Sequence, residues 1–313
     1  MLITGGAGCL GSNIVEHFLP TVEKIVVLDN FATSKSMSLP VALNLDVVEG
    51  SVADSALVEK IFSRFRPEVV IHGAASYKDP HNWVDDATTN VLGTIEIIRA
   101  CERWSVHRLV NLQTALCYGI PRMTPIPVDH QITPITSYGI TKAAGEAFVL
   151  QSDLSHVSLR ISNVVAPRLS VGPIPTFYKR LRSGEKCTVT ESTRDFLDFR
   201  DFIQCLMLVI ERREVNGVLN VASGEGHSVA EVFHIVADHL KLVDRKPDQV
   251  IPPSDDDIPT VVLDPSVTQQ LLGWRSRISF EESVRSILAW YDEDGVTDAV
   301  SYTHLTLPTN REV

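Results

Sequence analysis

Short β-branched runs that alternate with helical patterns constrain this chain more than any other feature of its first half. Leu2–Thr4, Lys24–Leu28 and Val69–His72 read as strands, with Ser12–His17 and Ser55–Phe65 as the helices between them. Parallel strands need crossover connections, most often helices, so this βαβαβ order predicts a parallel sheet covered on both faces. The alternation continues through a helix near Asn90–Ser105, a strand at Arg108–Gln113, a helix near Tyr138–Leu150 and a strand at Val157–Ser162. After that, Pro167, Pro173 and Pro175 interrupt it, and short strands mix with helices near Val229–Leu240 and Phe280–Tyr291. The helical run Arg200–Arg213 and the strand Gly217–Val221 are expected to return to the first sheet. The expected class is α/β: a doubly wound parallel sheet over 1–165, with returning segments near 195–223, and a smaller α/β domain over 166–295. The remainder, 296–313, ends in SYTHLTLPTNREV, which lacks periodicity and reads as a disordered or non-native tail.

With 313 residues and 44% hydrophobic content the chain can bury a full core. A formal charge of −11, uninterrupted by any Lys/Arg run, repels a phosphate backbone, so no nucleic-acid partner is expected. Apolar stretches such as Ile25–Leu28 and Val69–Ile71 fall far short of the ~20 residues that cross a bilayer. Met1 leads straight into a glycine loop, without the pattern of a secretory signal. Cys9, Cys101, Cys117, Cys187 and Cys205 form no C-x-x-C pair, which suits a reducing compartment, and the histidines make no zinc spacing. The expectation is a cytoplasmic protein with no metal and no membrane partner.

Gly5-Gly6-Ala7-Gly8-Cys9-Leu10-Gly11 lies between the first strand and the first helix. There a bare backbone can press against a pyrophosphate, and the helix N-terminus offers unpaired N–H groups and a positive dipole end. A strand-to-helix turn alone would also explain the glycines. Asp29, at the end of the second strand, sharpens the reading: its carboxylate suits the hydroxyls of an adenosine ribose, or is a solvated strand-end acid. It would repel a ribose 2′-phosphate, and no arginine follows within Asn30–Ser36, where Lys35 is the nearest cation. NAD is therefore expected rather than NADP. Gly73-Ala74-Ala75, after the strand ending at His72, either lets a dinucleotide pass close to the backbone or forms a tight turn.

Tyr138 and Lys142 stand four apart at the start of a helical pattern, on one face and about one turn from each other. A tyrosine of ordinary pKa about 10 must shift by roughly 3 units, or about 4 kcal/mol, to act as a base near neutrality. A lysine and an oxidised nicotinamide within ~5 Å would each contribute about 3 kcal/mol at an effective dielectric near 20, before desolvation is subtracted. Taken alone, Y-x-x-x-K is a common accident. It gains weight from Leu112-Gln113-Thr114-Ala115-Leu116-Cys117-Tyr118-Gly119, which runs off a strand and sets the Thr114 hydroxyl at the carboxyl edge of the sheet, where open α/β sheets hold their sites.

Together the glycine loop, Asp29, Asn90-Val91-Leu92-Gly93-Thr94, Thr114, the Tyr138/Lys142 pair and Arg194-Asp195-Phe196 resemble the extended short-chain dehydrogenase/reductase family. Within it, they are most similar to the NAD-dependent nucleotide-sugar epimerases and dehydratases, over about residues 1–292. The resemblance implies a Rossmann-type sheet with a smaller C-terminal substrate domain, NAD as cofactor and a nucleotide-diphosphate sugar as substrate. It makes Tyr138 the catalytic base, has Lys142 hold the ribose and tune the tyrosine, and has Thr114 hydrogen-bond the reacting sugar hydroxyl. The cofactor site it implies takes in Gly5, Gly8, Cys9, Leu10, Gly11, Asp29, Asn30, Gly50, Ser51, Val52, Gly73, Ala74, Ala75 and Asn90, together with Tyr138 and Lys142. Asn163 and Arg194 are expected at the nucleotide diphosphate; the alternative for Arg194 is a surface salt bridge to a nearby acid. Lys78 either meets the substrate phosphate or faces solvent. Two positions depart from the family's pattern: Ser254 stands where an arginine often grips the diphosphate, and Ser51 where an adenine-side aspartate is usual.

Sugar 4,6-dehydratases of this family carry an acidic pair after the hydroxyl residue; here those positions are Ala115 and Leu116, which cannot move a proton. What remains is a cycle in which one tyrosine and one cofactor oxidise and re-reduce the same carbon. The resemblance thus favours C4 epimerisation of a UDP-hexose in surface-polysaccharide precursor synthesis, with a dehydratase or reductase of the same family as the alternative. A non-catalytic nucleotide-binding relative would be expected to lose Tyr138 or Lys142. The helix near Asn90–Ser105 carries Val91, Leu92, Ile95, Ile97, Ile98 and Cys101 on more than one face, more than one sheet contact needs. A homodimer would bury the surplus, as would packing by the chain itself.

Overall fold

The computed structural model describes residues 1–33, 39–77, 79, 81–254 and 257–296. Lys35, Lys78 and all of the expected tail after residue 296 lie outside the described residues. The first half runs β1 (Leu2–Thr4), α1 (Cys9–Phe18), β2 (Ile25–Asp29), β3 (Leu45–Glu49), α2 (Ser55–Phe65), β4 (Val69–His72) and α3 (Trp83–Asp86). It continues with a π-helical segment Ala87–Gly93, α4 (Thr94–Arg103), β5 (Arg108–Thr114), a 3₁₀ turn Ala115–Tyr118, α5 (Ser137–Gln151) and β6 (His156–Ile161). The second half begins with β7 (Asn163–Val165), α6 (Pro173–Arg182), β8 (Thr188–Thr190), β9 (Thr193–Arg194), β10 (Phe196–Asp198) and α7 (Phe199–Glu211). Then come β11 (Gly217–Val221), β12 (His227–Ser228), α8 (Val229–His239), β13 (Gln249–Ile251), β14 (Thr260–Val261), α9 (Ser266–Leu272) and α10 (Phe280–Asp294).

Seven strands form one parallel sheet in the order β3-β2-β1-β4-β5-β6-β11. Period-two alternation builds its two faces. Along β2, Ile25 and Val27 pack toward α1 and α7, whereas Val26 and Leu28 pack toward α2 and α4. The expected return of the later segments is seen: Gly217–Val221 adds to the sheet beside Val157–Ile161, and α7 buries Phe202, Ile203, Leu206 and Val209 against it. Arg108, fully buried at the start of β5, closes the exit from α7 by donating to Val209 O at 2.8 Å and Val215 O at 2.6 Å. The helix read from Asn90 is broken in two, because its first turn widens into the π segment before α4 begins.

On the α5 side β6 presents Ser158 and Arg160 in place of apolar residues. Glu146 of α5 meets both, with Arg160 Nη2 at 2.6 Å and the Ser158 hydroxyl at 2.6 Å, so this buried charge is paired and hydrogen-bonded. Beyond the sheet, α6, α8 and α10 close a second core around Phe177, Tyr178, Phe233, Leu288 and Tyr291. Ladders of two or three residues border it: β7 with β10, β8 with β13, and β12-β9-β14. Strand order reverses between β1 and β4, and the crevice at their carboxyl ends receives the glycine loop, the end of β5 and the start of α5.

Candidate active site

Asp29 holds the glycine loop: its carboxylate accepts the Ala7 N–H at 2.9 Å and the Phe31 N–H at 2.8 Å. A carboxylate accepts about four hydrogen bonds, so this anchoring is compatible with taking ribose hydroxyls. Gly11 is required by the fold itself, since a Cβ there would stand 2.2 Å from Gly5 O. Gly8 is different. A Cβ on it would meet only Gly5 O at 3.4 Å, an ordinary contact, so its bare backbone serves something other than the protein's own packing. Gly8 caps α1, and the amides of Cys9, Leu10 and Gly11 form the first turn, whose N–H groups lack intrahelical acceptors. These features fit a dinucleotide pyrophosphate. Burial pushes the Cys9 thiol up to about 12 and its sulfur faces Pro167 O at 3.5 Å, so it is a neutral wall of this site.

The residues expected on the adenine side follow the ends of β2 and β3. Gly50 N–H donates to Asp29 O at 2.9 Å, Asn30 Oδ1 accepts Ala32 N–H at 3.1 Å, and Ser51 Oγ accepts Ala53 N–H at 3.1 Å. Val52 packs directly on Gly93 of the π segment, where a Cβ would lie 2.4 Å from its methyl.

His72, which the sequence reading treats only as a strand end, organises the next stretch. Thr94 Oγ1 donates to Asn90 O at 2.7 Å and therefore accepts from His72 Nε2–H at 3.0 Å; His72 Nδ1 in turn accepts the Thr4 hydroxyl at 2.7 Å. That leaves Thr4 Oγ1 to accept the Gly73 and Ala74 N–H groups, each at 3.2 Å, which fixes the loop along the crevice toward Ala75. Burial, reinforced by the Lys142 charge, lowers the His72 pKa to about 3, so the ring stays neutral in this network. Asn90 ties the following residue to α5: it accepts Ser76 N–H at 2.8 Å and donates to Ser76 O at 2.9 Å and Thr141 Oγ1 at 3.0 Å.

Tyr138 and Lys142 stand about one turn apart on α5, and Thr114 closes the carboxyl end of β5 beside the Tyr138 phenol. The Thr114 hydroxyl accepts Leu116 N–H at 3.2 Å, so it also caps the 3₁₀ turn. Lys142 is 4% exposed, donates to Leu112 O at 2.8 Å, and burial lowers its pKa to about 8 while Glu146 partly restores it. The tyrosine departs from expectation. Burial raises its pKa, the neighbouring Tyr77 and Asp86 add to the rise, and the Thr114 hydroxyl opposes it. The polypeptide alone thus holds this phenol protonated, and a base here needs a positive charge brought by a ligand.

Besides His72, three residues here escaped the sequence reading. Asp86, 1% exposed, accepts the Ser137 hydroxyl at 2.6 Å through one oxygen while the other is buried without a partner. The Tyr77 ring lies 6.0 Å from the Tyr138 ring at 63°. Glu146 escaped as well, although it continues the four-residue spacing from Tyr138 through Lys142 and could have been found that way. Asp86 and Tyr77 carry no comparable signal.

Asn163, at the start of β7, is exposed, and its amide donates to Asp195 O at 3.0 Å. Arg194 is 6% exposed: its guanidinium binds Asp257 at 2.7 Å, Thr193 O at 2.9 Å and Pro259 O at 3.1 Å. The pair with Asp257 is thus buried rather than a surface salt bridge. Three of the five guanidinium N–H donors are used in these bonds. Among the described residues no cluster of His, Cys, Asp or Glu is arranged as metal ligands, and no helix is long and apolar enough to cross a membrane.

Residues 1–222 match the family described as NAD dependent epimerase/dehydratase. The Bordetella bronchiseptica enzyme WbmG, solved in complex with NAD and UDP, is 51% identical, covers 97% of each chain and superposes with a TM-score of 0.91. UDP-glucose 4-epimerase from Thermotoga maritima, solved with UDP-glucose, is 26% identical over 93% of this chain and 98% of its own, with a TM-score of 0.85. A putative UDP-glucose 4-epimerase of Methanocaldococcus jannaschii is 27% identical over 95% of this chain and 100% of its own length.

Proposed function

The chain belongs to the NAD-dependent epimerase/dehydratase family, and from that premise we propose that it inverts C4 of a UDP-sugar through a 4-keto intermediate. The observation that carries the choice of epimerisation over dehydration is the pair after Thr114. Ala115 is buried and Leu116 packs beside Ile126 and Leu263, so neither supplies an acid or a base. Asp86, the carboxylate that acts on the Tyr138 phenol, is buried and takes the Ser137 hydroxyl. UDP as the nucleotide is supported by the relatives solved with UDP and with UDP-glucose.

The first-turn amides of α1, Asp29 and the Gly73–Ala75 stretch would hold NAD, which when bound would supply a hydride acceptor and a positive charge. Tyr138 takes the proton of the sugar hydroxyl and gives it back, Thr114 orients that hydroxyl, and Lys142 holds the ribose. Asn163 and Arg194 meet the diphosphate. The second core, within 166–295, forms the substrate-binding domain. Ile140 and Phe148, two turns apart on α5, and Leu92 on the π segment that packs against α5 are exposed apolar groups, which supports a homodimer across α5 and the helical run that begins at Asn90. A cytoplasmic role in making surface-polysaccharide precursors fits this activity.

The test is proton NMR and mass analysis of the purified protein with UDP-hexoses, UDP-N-acetylhexosamines and UDP-uronic acids, without added coenzyme, beside Tyr138→Phe. The expected result is an inverted C4 centre at unchanged mass, absent in the variant. Loss of water would establish a dehydratase instead, and turnover only on adding NAD(P)H would establish a reductase.

A further inference from the structure

The geometry points to Tyr77 as a substrate-specificity residue: its ring is the wall on which the sugar lies beside Tyr138, retaining the keto sugar between the two halves of the reaction. This inference rests on the epimerase reading. Ser76, the preceding residue, has both its N–H and its carbonyl bonded by Asn90, at 2.8 and 2.9 Å. Asn90 also reaches Thr141, on the helix that carries Tyr138. The backbone entering Tyr77 is therefore fixed to the catalytic helix, and the two tyrosine rings meet edge to face with centroids 6.0 Å apart. Tyr77 nonetheless keeps 37% of its surface open. Its hydroxyl is desolvated, which raises its pKa, and the Cys9 thiol of the glycine loop adds to that rise. The residue thus lies beside both the catalytic phenol and Cys9 of the glycine loop, with part of its surface left open.

A pyranose has apolar C–H faces, and an open aromatic ring at a reaction centre suits one of them. Epimerisation also places a demand on such a wall. Oxidation moves a hydride from C4 to the nicotinamide and the hydroxyl proton to Tyr138, leaving a sugar two hydrogens lighter. That sugar must turn over without leaving, because only the same site can return both hydrogens. If the wall is lost, the keto sugar escapes and the reduced dinucleotide stays on the protein.

The experiment compares wild type, Tyr77→Phe, Tyr77→Leu and Tyr77→Ala on a UDP-sugar that the wild type epimerises. Each protein is first checked for an unchanged thermal shift with NAD. Tyr77→Ala is expected to raise KM by about tenfold. It is also expected to lose activity over successive turnovers, release a 4-keto sugar detectable by mass, and accumulate the near-ultraviolet absorbance of reduced nicotinamide. Tyr77→Leu, which keeps bulk without an aromatic face, should show the same escape and serves if the alanine variant does not fold. Tyr77→Phe should behave as wild type. An active wild type beside alanine and leucine variants with unchanged KM and no released keto sugar overturns the wall alone, as does a phenylalanine variant as leaky as alanine. A wild type that inverts no sugar removes the epimerase reading instead.

Discussion

Two alanine substitutions three residues apart should separate what the glycine loop does for the fold from what it does for the cofactor. In Gly11→Ala the new methyl would lie 2.2 Å from Gly5 O and 2.6 Å from Gly6 Cα, both backbone atoms, so α1 or the loop must shift by about an ångström. Overpacking of that kind costs about 1–3 kcal/mol, which in a chain of this size lowers the melting temperature by roughly 2–5 °C. In Gly8→Ala the methyl meets only Gly5 O at 3.4 Å, and the backbone at φ −69°, ψ 172° is open to any residue. Stability should then change by less than about 1 kcal/mol, the cost of a poorer N-cap. The same methyl points to where a pyrophosphate would approach, so NAD should bind at least about tenfold more weakly, a loss of about 1.4 kcal/mol. At an NAD concentration that is 100-fold above the wild-type Kd, ligand stabilisation would fall from about 2.7 to about 1.4 kcal/mol. Thermal melts of nucleotide-stripped protein, with and without NAD, together with a binding titration, read both effects. A Gly8→Ala protein that binds NAD as tightly as wild type would refute the argument, and so would a Gly11→Ala protein as stable as wild type.

Lys142→Met should stabilise the fold while abolishing turnover. Burial holds the lysine at about 8 against its ordinary 10.5, so below pH 8 its charged form costs the folded state about 3 kcal/mol. That cost disappears as pH rises from 8 to 10.5, so the gain in melting temperature should be full at pH 7 and vanish near pH 10.5. A gain that is independent of pH would show that packing, not charge, is responsible. Asp86→Asn removes a negative charge that raises the Tyr138 pKa while keeping an acceptor for Ser137, so the acid limb of the kcat profile should move to lower pH; an unmoved limb would detach Asp86 from the tyrosine. Glu146→Gln leaves Arg160 buried without its counter-charge and should cost about 3–5 kcal/mol in denaturant unfolding. A cost below about 1 kcal/mol would mean that Tyr118 and Val128 O already satisfy the arginine.

Six of the seven sheet strands are legible in the sequence because each carries a continuous apolar or alternating run; the edge strand β3, Leu45–Glu49, escaped because its residues are only partly buried. Val69–His72, Ser55–Phe65 and Gly217–Val221 occupy the expected residues to the end of each element. The strands that border the second core are not legible, since β9, β12 and β14 are two residues long and exist only through pairing with partners far away in the chain. The π segment breaks the 3.6-residue period within an apolar run, which periodicity alone cannot show. At the site, Tyr138, Lys142 and Thr114 follow from local spacing. The roles of His72, Tyr77 and Asp86 depend on Thr4, Asn90 and Ser137, which lie 13 or more residues away in the chain, so no local pattern marks them. Arg194 is the instructive case. Its charge is visible in the sequence, but its buried pairing with Asp257 is set by the ladder of β9 with β14.

The central claim is that one carbon is oxidised and then reduced by the same hydride, with Tyr138 moving only the hydroxyl proton. The most direct measurement uses a UDP-sugar deuterated at C4, converted by the protein in ordinary water and analysed by NMR and mass. The account predicts a C4-inverted product that keeps its deuterium in full, because the label leaves and returns as hydride within one closed site. A product that has exchanged its deuterium for solvent hydrogen would contradict the account.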